Sequence, residues 1–250
     1  MNSRGRLFVV GLGPGDRAVM TGQALEALRQ AEVVVGYDGY FTGLADLVQG
    51  KECLALPLTQ EAERARVAVD RLRQGRVVCV ISSGDPGVYG MAGLVLQCLG
   101  DAGQEDVTVV PGVSAVNAAA ALLGAPLGHD FAVVSLSNLL TPWETIERRL
   151  QAAAEADFVL AILNPKSQRR DWQYRRAQEI LAGFRPPQTP VGVVRNAYRP
   201  GQSVERTTVA RMAEAVVDMF TTVIVGNSQT RQFGSVIVTP RGYALPAGEA

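Results

Sequence analysis

The fold is decided by the stretch LFVVGLGPGD at residues 7–16, an apolar run of strand length followed at once by a loop of glycine and proline. Two further stretches repeat this design, VVCVISSGDPG at residues 77–87 and VTVVPGVSA at residues 107–115. In an open α/β sheet, the loops that leave the carboxyl ends of buried parallel strands meet at one edge, and ligands bind there. The three stretches therefore predict one small-molecule site built from three loops.

The first loop matches a dinucleotide-binding fingerprint only in part. That fingerprint is G-x-G-x-x-G, in which bare backbone approaches a pyrophosphate at a helix start. Here the last glycine position holds Asp16, whose carboxylate repels a pyrophosphate, and Pro14 lacks an amide donor. The loop therefore favours a ligand with hydroxyl groups or a positive charge.

Apolar runs of strand length alternate with segments of helical period through the first half of the chain. The predicted strands are 7–10, 33–35, 54–56, 77–81 and 107–110, and the predicted helices are 18–31, 59–74 and 91–99. This alternation is typical of a parallel sheet wound with helices. An Ala-rich helix over 114–124 then predicts the joint between two lobes.

The second half begins with further strand and helix units and ends differently. The predicted strands are 131–136, 158–163, 191–194, 203–209, 221–225 and 235–239, and the predicted helices are 143–156 and 172–181. The last four strands have few helices between them, which indicates antiparallel pairing. We therefore predict a two-lobed α/β fold, with an N-terminal parallel sheet over residues 1–113 and a C-terminal mixed sheet over residues 114–250.

Composition and charge argue against several classes of protein. Basic and acidic side chains both number 24, so there is no overall attraction to nucleic acid or to an anionic membrane surface. The N-terminus leads into a strand without an apolar signal segment, and no apolar run is long enough to span a bilayer. The 3 cysteines lack C-x-x-C spacing. We therefore expect a soluble cytoplasmic protein with free thiols.

The only histidine, His129, argues against a histidine-based triad and against a metal site of several histidines. It stands between a glycine and an aspartate just before a predicted strand. We expect an ordinary loop histidine, and the alternative is a contact to the substrate or to a substrate cobalt.

The chain resembles the tetrapyrrole methylases over about residues 5–240. The broad resemblance rests on the three loops, with Tyr89-Gly90 after the second. A narrower resemblance rests on SLSNLLTPW at residues 135–143, on NPKS at residues 164–167, and on Arg195-Asn196-Ala197. These are similar to the members that methylate C17 of precorrin-3B or cobalt-precorrin-3 in cobalamin biosynthesis. The family has Asp where this chain has Asn138, so a charge is absent here.

The resemblance implies a homodimeric enzyme that binds S-adenosylmethionine between its lobes, methylates C17 of a precorrin and contracts the ring. It implies the cofactor-binding residues Pro14, Ser83, Gly84, Asp85, Val88, Ser114, Ala115, Leu163, Asn164, Asn196, Ala197, Val225 and Gly226. Asp85 has two possible roles, since it can pair with the methionyl ammonium or ribose hydroxyls, or cap a turn before Pro86. The amides that open the Ala-rich helix suit the methionyl carboxylate.

The implied acceptor is a polycarboxylate, for which arginine and lysine are the natural partners. The substrate-binding candidates are Tyr37, Asp38, Ser137, Thr141, Lys166, Arg195 and Arg199. Thr141 is also expected to be a helix N-cap, with Pro142 in the first turn. By contrast, Arg169, Arg170, Arg175 and Arg176 have the spacing of a solvated helix surface.

Ring contraction requires a group that moves a proton within reach of the ring. The candidates are Asp16, Asp38, His129 and Lys166, and the sequence does not rank them. Two alternatives to this function stay open. One keeps the fold and cofactor and changes the acceptor to another precorrin carbon, uroporphyrinogen III, a protein or ribosomal RNA. The other is a nucleotide-binding oxidoreductase or a ligand sensor, which the broken dinucleotide fingerprint disfavours.

Overall fold

A computed structural model gives the structure of the chain and describes residues 5–101, 106–167 and 170–244. The chain folds as two compact units, residues 1–115 and 116–250. The first contains a parallel sheet with helices, and the second contains a mixed sheet with helices. The α/β fold class predicted from the sequence is therefore confirmed.

The first unit is built on a parallel sheet with the strand order β3-β2-β4-β1-β5. Its strands are β1 (Arg6–Gly11), β2 (Val33–Tyr37), β3 (Glu52–Leu56), β4 (Val77–Ser82) and β5 (Val107–Val110). Its helices are α1 (Gly22–Gln30), α2 (Asp38–Phe41), α3 (Glu61–Arg73) and α4 (Ala92–Leu99). Helices α3 and α4 bury one face of the sheet, and α1 buries the other. The carboxyl ends of β4, β1 and β5 are thus adjacent at one edge.

The predicted helix over 18–31 is wrong in its first part. A short 3-10 helix, Arg17–Val19, comes first, and the Asp16 carboxylate caps it by accepting a hydrogen bond from the Ala18 amide at 2.8 Å. The chain is then extended through Met20 and Thr21, and the Thr21 hydroxyl caps α1. Two capping side chains therefore divide a segment whose apolar period is continuous.

The second unit is built on a mixed sheet with the order β10-β9-β11-β8-β7. Its strands are β7 (Phe131–Ser135), β8 (Val159–Leu163), β9 (Pro190–Arg195), β10 (Ser203–Thr208) and β11 (Thr221–Val225). Strand β11 is antiparallel to both β8 and β9, which confirms the pairing predicted for this half. The carboxyl ends of β7, β8 and β9 and the amino end of β11 therefore lie at the same edge of the sheet, which we call the Asn164 edge.

Helices and a small sheet complete the second unit. The helices are α5 (Ala115–Leu123), α6 (Trp143–Glu155) and α7 (Trp172–Ala182), with a 3-10 helix at Val209–Glu214. The small sheet contains β6 (Gly124–Ala125), β12 (Arg231–Phe233) and β13 (Val236–Val238). Helices α6 and α7 bury one face of the mixed sheet, and α5 packs on the other. No helix among the described residues has the length and apolar character needed to cross a membrane.

Candidate functional site

The three loops predicted to form one site meet through bare backbone in the first unit. The Gly13 amide donates to the Gly84 carbonyl at 3.1 Å, and the Gly84 amide donates to the Gly13 carbonyl at 2.8 Å. The Leu12 amide also donates to the Ser82 carbonyl at 2.8 Å. The loops after β1 and β4 are therefore tied together by main-chain hydrogen bonds.

Glycine is required where the third loop joins this contact. A Cβ added to Gly112 would lie 2.2 Å from the Gly84 carbonyl oxygen, and one added to Gly11 would lie 2.6 Å from the same atom. Gly84 itself has a φ of +64°, a conformation that side chains disfavour. We call the meeting of Gly11, Gly84 and Gly112 the glycine junction. It brings bare backbone from three strand ends to one place.

Asp85 holds the glycine junction closed. Its Oδ1 atom accepts a hydrogen bond from the Gly87 amide at 2.8 Å, and its Oδ2 atom accepts one from the Gly112 amide at 3.1 Å. Of the two roles considered for this residue, the structure shows the turn cap and adds a link to the third loop. Val88 follows in the same loop and is 40% exposed, while Pro14, in the first loop, is buried.

Hydroxyl groups stand beside the junction. The Tyr40 hydroxyl donates to the Ser83 Oγ atom at 3.0 Å, and the Tyr37 and Tyr40 rings meet edge to face with their centroids 5.2 Å apart. Asp38 accepts a hydrogen bond from the Gly39 amide at 2.9 Å, so this carboxylate stabilises the turn after β2. Helix α2, which follows β2, therefore supports the loop that carries Ser83.

The start of helix α5 also lies at the junction. A Cβ on Gly84 would lie 3.5 Å from the Ala115 amide nitrogen and 3.6 Å from the Ser114 Cα atom. The first amides of a helix have no partner within the helix and attract anions. Pro14, Ser83, Gly84, Asp85, Ser114 and Ala115 thus lie on the loops and helix start that form this one end of the first unit.

The Asn164 edge of the second unit carries two asparagines in the left-handed conformation. Asn164 follows β8 with a φ of 51°, and Asn196 follows β9 with a φ of 50°. The Asn164 Nδ2 atom donates to the Ser135 Oγ atom at 2.9 Å, and the Asn196 amide donates to the Phe220 carbonyl at 3.0 Å. Leu163 and Ala197 are their chain neighbours, so these four predicted residues lie along one edge.

Val225 and Gly226, at the carboxyl end of β11, do not lie at the Asn164 edge of the mixed sheet. Leu163 pairs with Thr222, whereas Val225 pairs with Leu160 further down β8. Since β11 runs antiparallel, its amino end reaches the Asn164 edge and its carboxyl end lies at the opposite edge. Phe220 and Thr221 lie at the Asn164 edge instead, a placement that the antiparallel direction of β11 requires.

The predicted N-cap role of Thr141 is also wrong. Pro142 occupies the N-cap position of α6, which has no side-chain cap, and the Ile146 amide donates to the Pro142 carbonyl at 3.3 Å. Ser137 lies after β7 and its amide donates to the Ser135 Oγ atom at 3.2 Å. These hydrogen bonds do not use the hydroxyl group of Ser137 or of Thr141.

Three predicted cations lie at or next to the Asn164 edge. Lys166 is exposed after β8. The Arg195 Nε atom lies 3.3 Å from the Asp218 Oδ2 atom, an ion-pair distance without hydrogen-bond alignment. The Arg199 guanidinium lies over the Phe220 ring, 5.7 Å from its centroid. Positive side chains therefore gather where β8 and β9 end.

The prediction that Arg170 lies on a solvated helix surface is wrong. Helix α7 begins only at Trp172, and Arg170 is 7% exposed, with its Nη1 atom donating to the Asn164 carbonyl at 2.8 Å. Burial lowers the pKa of this guanidinium. Arg176 is a surface residue, paired with Glu147 and Glu179, and Arg175 is exposed. Arg169 lies outside the described residues.

His129 lies at the opposite edge of the second sheet, just before β7. Its Nδ1 atom accepts a hydrogen bond from the Asp130 amide at 2.8 Å, and half of its side chain is exposed. The loop role expected for this residue accounts for these contacts. Within residues 5–101, 106–167 and 170–244, His, Cys, Asp and Glu side chains form no cluster of three that suits a metal ion.

The chain is similar to known proteins along most of its length. A sequence model of the family described as "Tetrapyrrole (Corrin/Porphyrin) Methylases" matches residues 6–213. The chain is 46% identical over 240 residues to a "Probable cobalt-factor III C(17)-methyltransferase" of Salmonella typhimurium, covering 96% of this chain and 100% of that protein. It is 42% identical over 252 residues to a "Precorrin-3B C(17)-methyltransferase" of Sinorhizobium sp, covering 96% and 98%.

The chain matches only part of some longer relatives. It is 46% identical over 245 residues to a "Cobalt-factor III methyltransferase" of Priestia megaterium and spans 45% of that protein's length. Among solved structures, the methyltransferase CobJ is similar with a TM-score of 0.86 and 37% identity, covering 94% of this chain and 100% of that one. A uroporphyrin-III C-methyl transferase from Thermus thermophilus, complexed with S-adenyl homocysteine, is similar with a TM-score of 0.66 and 27% identity, covering 88% and 92%.

Proposed function

We propose that the chain is an S-adenosylmethionine-dependent methyltransferase of cobalamin biosynthesis. The chain belongs to the tetrapyrrole (corrin/porphyrin) methylase family, and the proposal starts from that membership. Its acceptor is C17 of precorrin-3B or cobalt-precorrin-3, and methylation accompanies ring contraction. The observation that carries the proposal is that two relatives named for C17 methylation match the chain over nearly all of their own length.

The glycine junction fits S-adenosylmethionine. A Cβ on Gly11 or Gly112 would collide with the backbone of a neighbouring loop, so the three loops leave main chain rather than side chains for a ligand to approach. The amides that open α5 suit the methionyl carboxylate, and the hydroxyl of Ser83 suits the ribose. The related Thermus thermophilus structure, complexed with S-adenyl homocysteine, supports this choice of cofactor.

When bound, the cofactor supplies a methyl group on a sulfonium, and an electron-rich ring carbon can accept it without a covalent protein nucleophile. The task of this chain is then to hold the two reactants in line. Alignment of this kind can supply about 7–11 kcal/mol of the lowering of the barrier. Glycine loops tied by main-chain hydrogen bonds suit that task, because they hold the backbone donors and acceptors in fixed positions.

The acceptor's carboxylates are assigned to the cations of the Asn164 edge. Lys166, Arg195 and Arg199 lie at or beside the ends of β8 and β9, and arginine can pair with a carboxylate through two hydrogen bonds. Of the proton-moving candidates in the second unit, Lys166 rather than His129 lies at this edge. We therefore propose Lys166 as the residue of that unit that moves a proton during ring contraction.

Two parts of the proposal rest on the family resemblance. They are that the enzyme is a homodimer and that it is cytoplasmic. The thiols of Cys53, Cys79 and Cys98 are all free, in keeping with a reducing compartment. Sedimentation equilibrium of the purified chain measures the oligomeric state directly, and a monomer at micromolar concentration would contradict the first part.

The function is tested by supplying the purified chain with S-adenosylmethionine and, in separate reactions, precorrin-3B or cobalt-precorrin-3. We expect the acceptor to gain the mass of one methyl group and its visible spectrum to change as the ring contracts. The control reaction omits S-adenosylmethionine. Methylation of uroporphyrinogen III with no reaction of either precorrin would favour the alternative acceptor and refute the proposal.

A further inference from the structure

Arg170 and Arg185 are both buried in the second unit, at 7% and 5% exposure, and their partners differ. The Arg185 guanidinium donates to the carbonyl oxygens of Ala154 at 2.6 Å, Phe158 at 2.9 Å and Gly226 at 3.2 Å. It also lies 3.3 Å from the Asp157 carboxylate. This set of partners accounts for Arg185 as a structural cation that ties the ends of several elements together.

Arg170 is buried without such a set. Its Nη1 atom donates to the Asn164 carbonyl at 2.8 Å, and its Nη2 atom contacts the Met219 Sδ atom at 3.5 Å, which is a weak acceptor. Across the described ranges 5–101, 106–167 and 170–244, no carboxylate forms an ion pair with Arg170. Most of its N–H donors therefore have no protein acceptor.

The backbone holds Arg170 in this position. The Ser167 amide donates to the Arg170 carbonyl at 2.8 Å, and the Arg170 amide donates to the Ser167 carbonyl at 3.1 Å. A buried charge that lacks a partner destabilises a fold, and its removal from water also lowers the pKa of the guanidinium. A cation held by backbone hydrogen bonds to Ser167 and bonded to the Asn164 carbonyl after β8, with unused donors, has the features of a site for an anion from outside the chain.

We propose that Arg170 binds a carboxylate of the tetrapyrrole acceptor, an assignment that rests on the proposed function. A carboxylate accepts two parallel hydrogen bonds from a guanidinium, which suits the donors that the protein leaves unused. The methionyl carboxylate of the cofactor is the other source of this chemistry. Arg170 shares its edge with Lys166, Arg195 and nearby Arg199, and such a group of cations matches a polycarboxylate better than one amino-acid head group.

The test uses cobyrinic acid, a contracted tetrapyrrole with free carboxylates, and its fully methyl-esterified form. The chain has 2 tryptophans, and Trp172 lies two residues after Arg170 with its ring 4.8 Å from that of Trp143. Quenching of their fluorescence therefore measures binding near Arg170. The chain is first saturated with S-adenosylhomocysteine, whose own affinity is measured separately by calorimetry.

Arg170→Met keeps an unbranched apolar stem and removes the guanidinium with its charge. We expect it to weaken cobyrinic acid binding by about tenfold or more, to leave binding of the methyl ester and of S-adenosylhomocysteine unchanged, and not to lower the Tm. Arg175→Met removes the same charge from an exposed position five residues further along the chain, so it is the matched control and should bind cobyrinic acid as the wild type does.

Several results would overturn the assignment. Unchanged cobyrinic acid binding in Arg170→Met removes the role, and a selective loss of S-adenosylhomocysteine binding assigns the carboxylate to the cofactor instead. If Arg170→Met does not fold, Arg170→Lys decides, because it keeps the charge without the planar fork; full binding by a stable Arg170→Lys would refute paired hydrogen bonding. A wild-type chain that does not bind cobyrinic acid at all would instead refute the proposed function.

Discussion

Substitution of Gly112 by alanine perturbs the glycine junction directly. The new Cβ would lie 2.2 Å from the Gly84 carbonyl oxygen and 2.8 Å from the Gly11 carbonyl carbon. Ordinary contacts begin at 3.4 Å, so the loops after β1, β4 and β5 must part by about 1 Å. Both neighbours are backbone atoms in adjacent strand ends, and neither can move away as a flexible side chain does.

The size of the effect follows from the bonds that such a movement breaks. The two hydrogen bonds between Gly13 and Gly84, at 2.8 and 3.1 Å, and the bond from the Gly112 amide to Asp85, at 3.1 Å, hold the loops together. Each contributes about 0.5–1.5 kcal/mol. We expect the free energy of unfolding to fall by about 2–5 kcal/mol, which corresponds to a Tm lower by roughly 5–15 °C.

The assay for Gly112→Ala combines thermal unfolding with calorimetric titration of S-adenosylhomocysteine. We expect binding to be lost at temperatures where the variant is still folded, because the backbone donors no longer converge. Gly93→Ala is the control, since a Cβ there meets nothing within 4 Å and α4 should gain about 0.5–1 kcal/mol from the added side chain. Unchanged Kd and Tm in Gly112→Ala would refute the reasoning about the junction.

Four further outcomes are expected. Arg185→Met should lower the free energy of unfolding by about 3–5 kcal/mol in urea, because buried carbonyls lose their donor, and a change below about 1 kcal/mol would contradict the structural role. Asp85→Ala should weaken S-adenosylhomocysteine binding at least about tenfold by calorimetry, with Asp85→Asn intermediate because one acceptor oxygen remains; an unaltered Kd in Asp85→Ala would remove this role. Arg195→Ala should raise the Kd for cobyrinic acid about tenfold and spare cofactor binding, and equal loss of both would show that Arg195 is misplaced. Burial raises the pKa of Cys79 and shields its thiol, so exposed Cys98 should be alkylated before Cys79 at pH 8, as peptide mass mapping would show; equal rates at the two thiols would contradict the burial of Cys79.

The main strands of both sheets could be predicted because their signal is local. A run such as 77–81, apolar throughout and followed by serine, glycine and proline, indicates a strand buried on both faces wherever it occurs. The observed β4 extends that run by one residue, to Ser82. The small sheet was predicted only at β13, because β6 and β12 have 2 and 3 residues, too few for a periodic pattern.

The sequence predicts the backbone parts of the site, such as the glycine junction, better than it predicts the positions of its side chains. Glycines at a strand end indicate a close backbone approach whatever the tertiary structure, and Gly11, Gly84 and Gly112 meet as expected. Arg170 shows the opposite case. Its spacing with neighbouring arginines indicated a helix surface, but its burial goes with backbone hydrogen bonds to Ser167 and a contact to Met219, which is distant in sequence. Only the folded chain brings those contacts together.

The two units thus present different chemistry at their strand ends. In the first, the carboxylates of Asp16, Asp38 and Asp85 each accept backbone hydrogen bonds that hold loops in place, and what faces a ligand is main chain and hydroxyl. In the second, Asn164 and Asn196 follow the strand ends, and the cations lie beside them; Asp218 is paired with one of these, Arg195. A positively charged methyl donor is favoured by carbonyl and hydroxyl acceptors with carboxylates nearby, whereas a polycarboxylate acceptor is favoured by positive charge. The division of chemistry between the units therefore matches the division between the two reactants, which is why we assign the donor to the glycine junction and the acceptor to the Asn164 edge.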